Sequence, residues 1–315
     1  MSALIPLYLS REALLLGSDR ELRRAAARGL LTRVGTGAYL PSDVWNGMDR
    51  TERYRARVRA TAASFSPSTQ FSHDSAAVFW GLPSLGPWSD LVHHVVDPPH
   101  SGRSRVGCKR HAVGRDSQAV EQEGVRTTSL ARTLFDVSTV TPFVRAVVMA
   151  DAALAMNAQA DRDRLHDQLE KLIAELTERR GATRVRRVVD FADGRSESVG
   201  ESFARVQFAA LGLPAPSLQH SFADEHGHIG EVDFYWPELD LIGEFDGWSK
   251  YGDARRFQQD LTPSEVLRAE KTREDRLRRV ARSLFRLTWD VVADRGRLAA
   301  HVRPFGLVSA ARRRR

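Results

Sequence analysis

Three carboxylates in residues 229–251, IGEVDFYWPELDLIGEFDGWSKY, are placed to do chemistry: Asp233, Glu244 and Asp246. Two short apolar runs, 229–236 and 239–246, flank Pro237-Glu238. Their period-two alternation predicts two strands with a turn between them. On the first strand Glu231, Asp233 and Tyr235 share a face; on the second Asp240, Ile242, Glu244 and Asp246 do. Glu244 and Asp246 then point the same way, and a hairpin brings Asp233 to join them. A charge buried in strands this apolar has to be paired, protonated or metal-bound. Three converging carboxylates suit a hard divalent cation, Mg²⁺ or Mn²⁺. Such a cation activates water and neutralises a phosphate in the transition state. The same spacing also fits a surface hairpin whose acids face solvent.

The chain that must position these acids has 315 residues, 42% hydrophobic and 28% charged, enough for two or three domains with real cores. A net charge of +7 points to a polyanionic partner, nucleic acid or an acidic membrane surface. Aromatic residues are 8% of the chain, too few to favour a sugar-stacking glycosidase cleft. Cys108 is the sole cysteine, which excludes an internal disulfide and a thiolate zinc cluster. A reducing, cytoplasmic setting is expected. Residues 1–17 lack the basic and apolar regions of a signal peptide, and no run has the length of a membrane span.

The basic charge is organised at the front of the chain. Ser10 can cap a short helix over 11–16, and Ser18 or Asp19 a second one reaching Arg28. Leu22, Ala25 and Ala26 make its inner face; Arg20, Arg23, Arg24 and Arg28 make a basic outer face. Residues 30–34 and 38–40 form a tight hairpin around Gly35-Thr36-Gly37, with Arg33 on it. Helix, recognition-like helix and hairpin follow in winged-helix order. A basic helix of this kind can enter the major groove while the wing rests on phosphates. The alternative is a protein-contact module whose arginines solvate one face. We divide the chain into a winged helix (1–47), a small α+β domain (48–141), a helical connector (142–195), a domain carrying the acids (196–292) and a basic tail (293–315).

Between the two ends the chemistry is sparse. Ser72-His73-Asp74 are adjacent, which argues against a catalytic triad, and Ser72 fits a helix N-cap. His93 and His94 are neighbours on a strand, so they face opposite sides. No chemistry is assigned to 48–141. Ser198 and Glu201 form a capping box that opens the helix 201–211. A helix over 264–282 and a strand over 284–289 follow the acids. Arg276, Arg279, Arg282 and Arg286 there either line a phosphate track or make a salt-bridged, solvated face.

The run E-V-D-F-Y-W-P-E-L-D-L-I-G-E-F-D-G-W-S-K-Y, with the later run beginning at Asp275, resembles the very-short-patch-repair-like endonuclease domains of the PD-(D/E)XK superfamily, over about residues 196–290. The resemblance implies a restriction-endonuclease-like α/β sandwich that cleaves DNA with Mg²⁺ or Mn²⁺. Asp233 matches the acid of the first hairpin strand and Glu244 the (D/E) of the second. Asp246 stands where the superfamily places lysine. Lys250 or Lys271 would have to replace that lysine, and Glu201 matches the accessory acid of the first helix. The front half resembles AbiEi-type antitoxins, the repressor halves of type IV toxin–antitoxin pairs. That likeness rests on Gly29-Leu-Leu-Thr-Arg-Val-Gly-Thr-Gly-Ala-Tyr39, the S-H-x-S-A-A segment from Ser72, and R-T-T-S-L-A-R-T-L-F-D from Arg126. The expected class is therefore a multidomain α/β protein that binds DNA, with a cognate toxin as a further partner. It is either a metal-dependent endonuclease or a repressor whose nuclease fold has lost its catalysis.

Overall fold

The computed structural model describes residues 7–10, 19–98, 105–175, 181–246 and 262–309, with the backbone alone for Pro263, Val266 and Leu267. The expected helix at 11–16, Lys250 and the arginines at 312–315 lie outside these residues. Helices and sheets are mixed, and the chain divides into two compact units, so it is an α/β protein with more than one domain. The first unit is Met1–Ala153 with Asn157–Phe191; the second is Leu154–Met156 with Ala192–Arg315. Among the described residues no helix is long and apolar enough to cross a membrane.

The first unit opens with a small sheet in the order β1-β3-β2, from β1 (Tyr8–Leu9), β2 (Leu31–Gly35) and β3 (Ala38–Pro41). Helix α1 (Asp19–Ala27) precedes β2; α2 (Ser42–Gly47) and α3 (Arg50–Ala62) follow β3. A reciprocal cap starts α3. Asp49 accepts from the Glu52 N–H, and Glu52 accepts from the Asp49 N–H, both at 2.8 Å. Ala56 and Ala60 pack with Val34, Ala38, Leu40 and Met48 in the core under the small sheet. Earlier in the same helix Tyr54 is buried, stacks on Trp88 and bonds Ser75.

A second sheet of five strands has the order β6-β5-β4-β8-β7. Its members are β4 (Gln70–Phe71), β5 (Val92–Val96), β6 (Cys108–Ala112), β7 (Val120–Gln122) and β8 (Val125–Thr127). The short helix α4 (His73–Ala77) follows β4 directly, and α5 (Leu130–Val140) follows β8. Arg132 of α5 is buried because Asp136 lies 3.0 Å away and its other arm reaches the carbonyls of Val113 and Gly114. Helices α6 (Phe143–Ala155), α7 (Gln159–Glu175) and α8 (Ala182–Phe191) complete the helical stretch expected after residue 142.

The second unit is built on a four-stranded sheet in the order β12-β11-β10-β9. Strands β9 (Ser217–Asp224), β10 (Gly227–Trp236) and β11 (Leu241–Phe245) run antiparallel in sequence order. Helix α10 (Pro263–Val280) then carries the chain to β12 (Ser283–Leu287), which is parallel to β11. Alternation along β11 sorts the layers. Leu241 and Phe245 pack with helices α9 (Val199–Ala210), α11 (Trp289–Ala293) and α12 (Arg295–Val302). Ile242 packs with Leu277 of α10. The acids of β11 therefore lie in an α/β/α sandwich, on the α10 side.

Two expectations are corrected. The strand expected from Leu239 begins at Leu241. Pro237–Leu239 is a single 3-10 turn, and Asp240 takes φ 44°, accepting from the Arg282 N–H at 2.8 Å. The stretch from 293 is not a tail as far as it is described. Asp294 caps α12 through the Arg297 N–H, and Leu298, Val302 and Leu307 are buried in the main core. Their apolar spacing outweighs the surrounding arginines.

Glycine is required where α9 crosses β11, because a Cβ on Gly200 would overlap the Phe245 ring. Gly200→Ala is expected to cost about 1–3 kcal/mol in urea unfolding followed in the second unit. Gly47→Ala, with open space around it and an ordinary φ, is expected to shift stability by less than about 1 kcal/mol.

Candidate functional site

Two clusters of ionisable side chains stand out, one in each unit. In the second unit the sheet lines up a row of polar residues. Val232 pairs with His220 and Phe234 with Leu218, so Asp233 of β10 stands beside Gln219 of β9. The β10–β11 pairing ends at Phe234/Gly243, with Asp233 and Glu244 the next residues beyond it on the two strands. Asp233 does not extend the ladder with its backbone alone; its Oδ2 accepts from the Phe245 N–H at 2.7 Å. On the other side Gln219 donates from Nε2 to Glu201 of α9 at 3.2 Å. Gln219 has φ 48°, an uncommon conformation inside a strand.

Only the Ser198 half of the expected capping box forms: Ser198 accepts from the Glu201 N–H, while the Glu201 carboxylate reaches the Glu197 N–H and the Ser198 hydroxyl rather than the Ser198 N–H. The sequence places Glu201 correctly at the start of α9; its bond to Gln219 depends on the β9 register.

Glu244 is 5% exposed, and its charge is met by arginines. Arg273 of α10 donates from Nη1 to Oε1 at 2.9 Å and from Nη2 to the Glu231 carbonyl at 2.6 Å. Arg286, the register partner of Glu244 on β12, lies 3.7 Å from Oε2. Arg286 also lies 3.8 Å from Asp246, 3.2 Å from Glu270 and 2.9 Å from Glu274. Glu244 and Asp246 thus share one face, as the alternation predicts, and they share a guanidinium there. Among the described residues, three or more metal-type ligand atoms within 4.8 Å of one another occur at a histidine set, not at these acids. The expected convergence of three carboxylates gives way to arginine pairing, because α10 and β12 supply cations over the same face.

The remaining predicted residues fall as follows. Lys271 is exposed on α10, and Lys250 lies outside the described residues. Arg276 is not open to a phosphate: it bonds both oxygens of Asp224 and the carbonyls of Gly227 and His228, clamping the β9–β10 turn. Arg279 is exposed on the same helix. In the first unit Arg20, Arg23 and Arg24 are exposed on α1, Arg28 in the turn just after it and Arg33 on β2. Arg23 is bonded to Asp19 one turn before it.

The second cluster was not found from sequence. His73 of α4, His93 of β5 and His111 of β6 bring one ring nitrogen each to within 4.8 Å of the others. The parallel β5–β6 register pairs His93 with Lys109 and Val95 with His111, so the two histidines are diagonal neighbours on one face. His93 Nδ1 and His111 Nε2 are 2.9 Å apart. The His73 ring stacks on His111 with centroids 3.7 Å apart. His94 turns to the other side, against Phe65, as its position next to His93 requires. Ser72 holds the N-cap position, but its hydroxyl lies 2.9 Å from His73 Nδ1 rather than on a helix N–H. Burial, then the neighbouring histidines, holds His73 well below the usual imidazole range. Burial first also lowers His93 to about 4 and His111 to about 3, so all three rings are neutral at pH 7. The signal available in the sequence was the polar run Ser72-His73-Asp74-Ser75 inside an apolar segment; all four residues are buried.

Two proteins of Mycobacterium tuberculosis are similar to this chain: "Uncharacterized protein MT2308" of strain CDC 1551 / Oshkosh and "Uncharacterized protein Rv2248" of strain ATCC 25618 / H37Rv. Each is 35% identical over 233 residues, which cover 72% of this chain and 78% of the relative. The chain belongs to their family. No family model matches it.

Arg273→Ala leaves the buried Glu244 with Arg286 as its remaining ion-pair partner among the described residues. The substitution is expected to destabilise the second unit by about 1–3 kcal/mol, since Arg273 is partly exposed and a fully buried pair would lose more. Adding Glu244→Gln should recover part of that loss in a double-mutant cycle read by chemical denaturation. Equal losses in the single and double variants would contradict the coupling.

Proposed function

We propose that the protein is a cytoplasmic DNA-binding regulator of the antitoxin kind, in which the nuclease-like unit serves as a binding platform. One observation carries the choice: Glu244, the acid that a metal-dependent nuclease needs free, is held by Arg273 at 2.9 Å with Arg286 beside it. A divalent cation entering there has to displace a guanidinium from a buried carboxylate and meet the positive charge of two arginines. The absence of the superfamily lysine, with Asp246 in its place, supports the same reading.

DNA contact is supported by the exposed Arg20 and Arg24 on α1 and Arg28 just after its end, with Arg33 on the strand that follows. Arg23 belongs to the same helix but is tied to Asp19, which turns it toward orienting the helix. In this reading α1 meets the major groove and the β2–β3 turn meets phosphates. The antitoxin likeness of the front half implies a cognate toxin as the protein partner.

A second reading is favoured by the row Glu201–Gln219–Asp233, whose members are joined or adjacent and include a left-handed residue within a strand. In that reading Asp233, Glu244 and Asp246 hold Mg²⁺ or Mn²⁺, Arg273 swings off Glu244, and Lys250 or Lys271 stabilises the phosphate.

The two readings part on one pair of measurements. Supercoiled plasmid incubated with Mg²⁺ or Mn²⁺ should stay uncut by the wild-type protein. Footprinting on its own promoter should give a protected site, with binding weakened roughly tenfold or more in Arg24→Ala/Arg28→Ala and a shallower salt dependence. Metal-dependent nicking by the wild type that disappears in Glu244→Ala would establish the endonuclease reading in its place.

A further inference from the structure

We propose that His73, His93 and His111 form a binding site for a borderline divalent transition metal, with Zn²⁺ as the reference ion. The three imidazoles come from α4, β5 and β6, and their ligand nitrogens lie within 4.8 Å of one another. Three histidines without a carboxylate select zinc, copper or nickel rather than Mg²⁺ or Ca²⁺, which require oxygen ligands. A tetrahedral zinc site sets its nitrogens roughly 3.3 Å apart, from zinc–nitrogen bonds of about 2.0 Å. The 2.9 Å between His93 Nδ1 and His111 Nε2 opens slightly to that value, and His73 closes on the pair.

The surroundings orient the rings as a metal site requires. A ligating histidine donates its second ring N–H to a fixed acceptor, which sets the tautomer. Ser72 Oγ stands 2.9 Å from His73 Nδ1, which leaves Nε2 for the ion. Ser89 Oγ stands 2.8 Å from His93 Nε2, which leaves Nδ1. Ser89 is itself fixed: its N–H donates to Asp74 Oδ2 at 3.1 Å, and the same oxygen accepts from Arg145 at 2.8 Å. Ser75 accepts from the His93 N–H and bonds the Tyr54 hydroxyl. Each member of the buried run Ser72-His73-Asp74-Ser75 thus either offers a ligand or steadies one.

His73 has φ 51°, where an L side chain is uncommon, at the first position of a five-residue helix.

His111 is the half-exposed member of the set and marks the side from which an ion enters. It is also the ring that has to turn, since it stacks on His73 at 17° and an ion cannot lie in two parallel ring planes. When the ion takes the place of the hydrogen between His93 and His111, the proton on the shared side moves to the other nitrogen of its ring. No oxidant or net proton release is involved.

The test uses the full-length, untagged protein, stripped with chelator and titrated with Zn²⁺ by calorimetry, with Co²⁺ as a spectroscopic probe. About one Zn²⁺ per chain is expected, with Co²⁺ giving the visible absorption of a tetrahedral site. His111→Gln, half-exposed and therefore well tolerated by the fold, should weaken binding at least tenfold, and Ser89→Ala roughly tenfold through its hold on His93. Glu244→Gln should leave binding unchanged, which separates this site from the acids of the second unit. Wild-type binding no tighter than that of the folded His73→Gln/His111→Gln variant, by circular dichroism, would overturn the assignment, as would a Co²⁺ spectrum of a purely octahedral aquo ion.

Discussion

Glu244 is a carboxylate inside a sandwich of helices and strands, and the second unit is arranged so that its charge is met. Arg286 reaches it from the neighbouring parallel strand and Arg273 from the helix above. Arg273 also binds the Glu231 carbonyl, so the ion pair ties α10 to both β10 and β11. Glu270 and Glu274 then neutralise what Arg286 has to spare. A buried carboxylate stripped of these partners would be among the most costly groups in the unit. The ion-pair network is therefore structural first, and it determines what chemistry remains open to the acids beside it.

The same logic separates the two clusters. The acids of β10 and β11 are satisfied by the protein: Asp233 by the Phe245 N–H, Glu244 by guanidinium. The imidazoles of the first unit are neutral and share hydrogen bonds with serines and with each other. Neutral imidazoles in mutual contact need only a ring rotation to form a ligand set, whereas ion-paired carboxylates form one only after their cations leave. Two of the non-glycine residues with positive φ, His73 and Gln219, fall at these two clusters. Backbone held in an uncommon conformation is a feature that functional sites often carry.

Much of the second unit was legible in the sequence because its signals are local. Alternation along 229–236 and 239–246 announces the strands, though not the start of the second, and puts Glu244 and Asp246 on one face, and Ser198 with Glu201 announces the start of α9. The partners of Glu244 were not legible, since Arg273 and Arg286 meet it only when β12 lies parallel to β11 and α10 crosses above. Arg276 illustrates the same limit: its helical spacing suggested a phosphate track, and the turn carboxylate Asp224 claims it. The histidine set was least visible. His93 and His111 become neighbours through one register of one parallel strand pair, and His73 joins them through a backbone angle that composition does not encode. The final helix was obscured for another reason: only two positions in it, Leu298 and Val302, are buried and hold it in place, and two arginines precede them.

The central claim is that the carboxylate of Glu244 belongs to arginine rather than to a metal ion. The most direct measurement is anomalous diffraction from a crystal of the full-length protein soaked in Mn²⁺. The account predicts Arg273 still bonded to Glu244 and no manganese peak between Asp233 and Glu244. A manganese peak bridging those two acids, with Arg273 displaced, would contradict it.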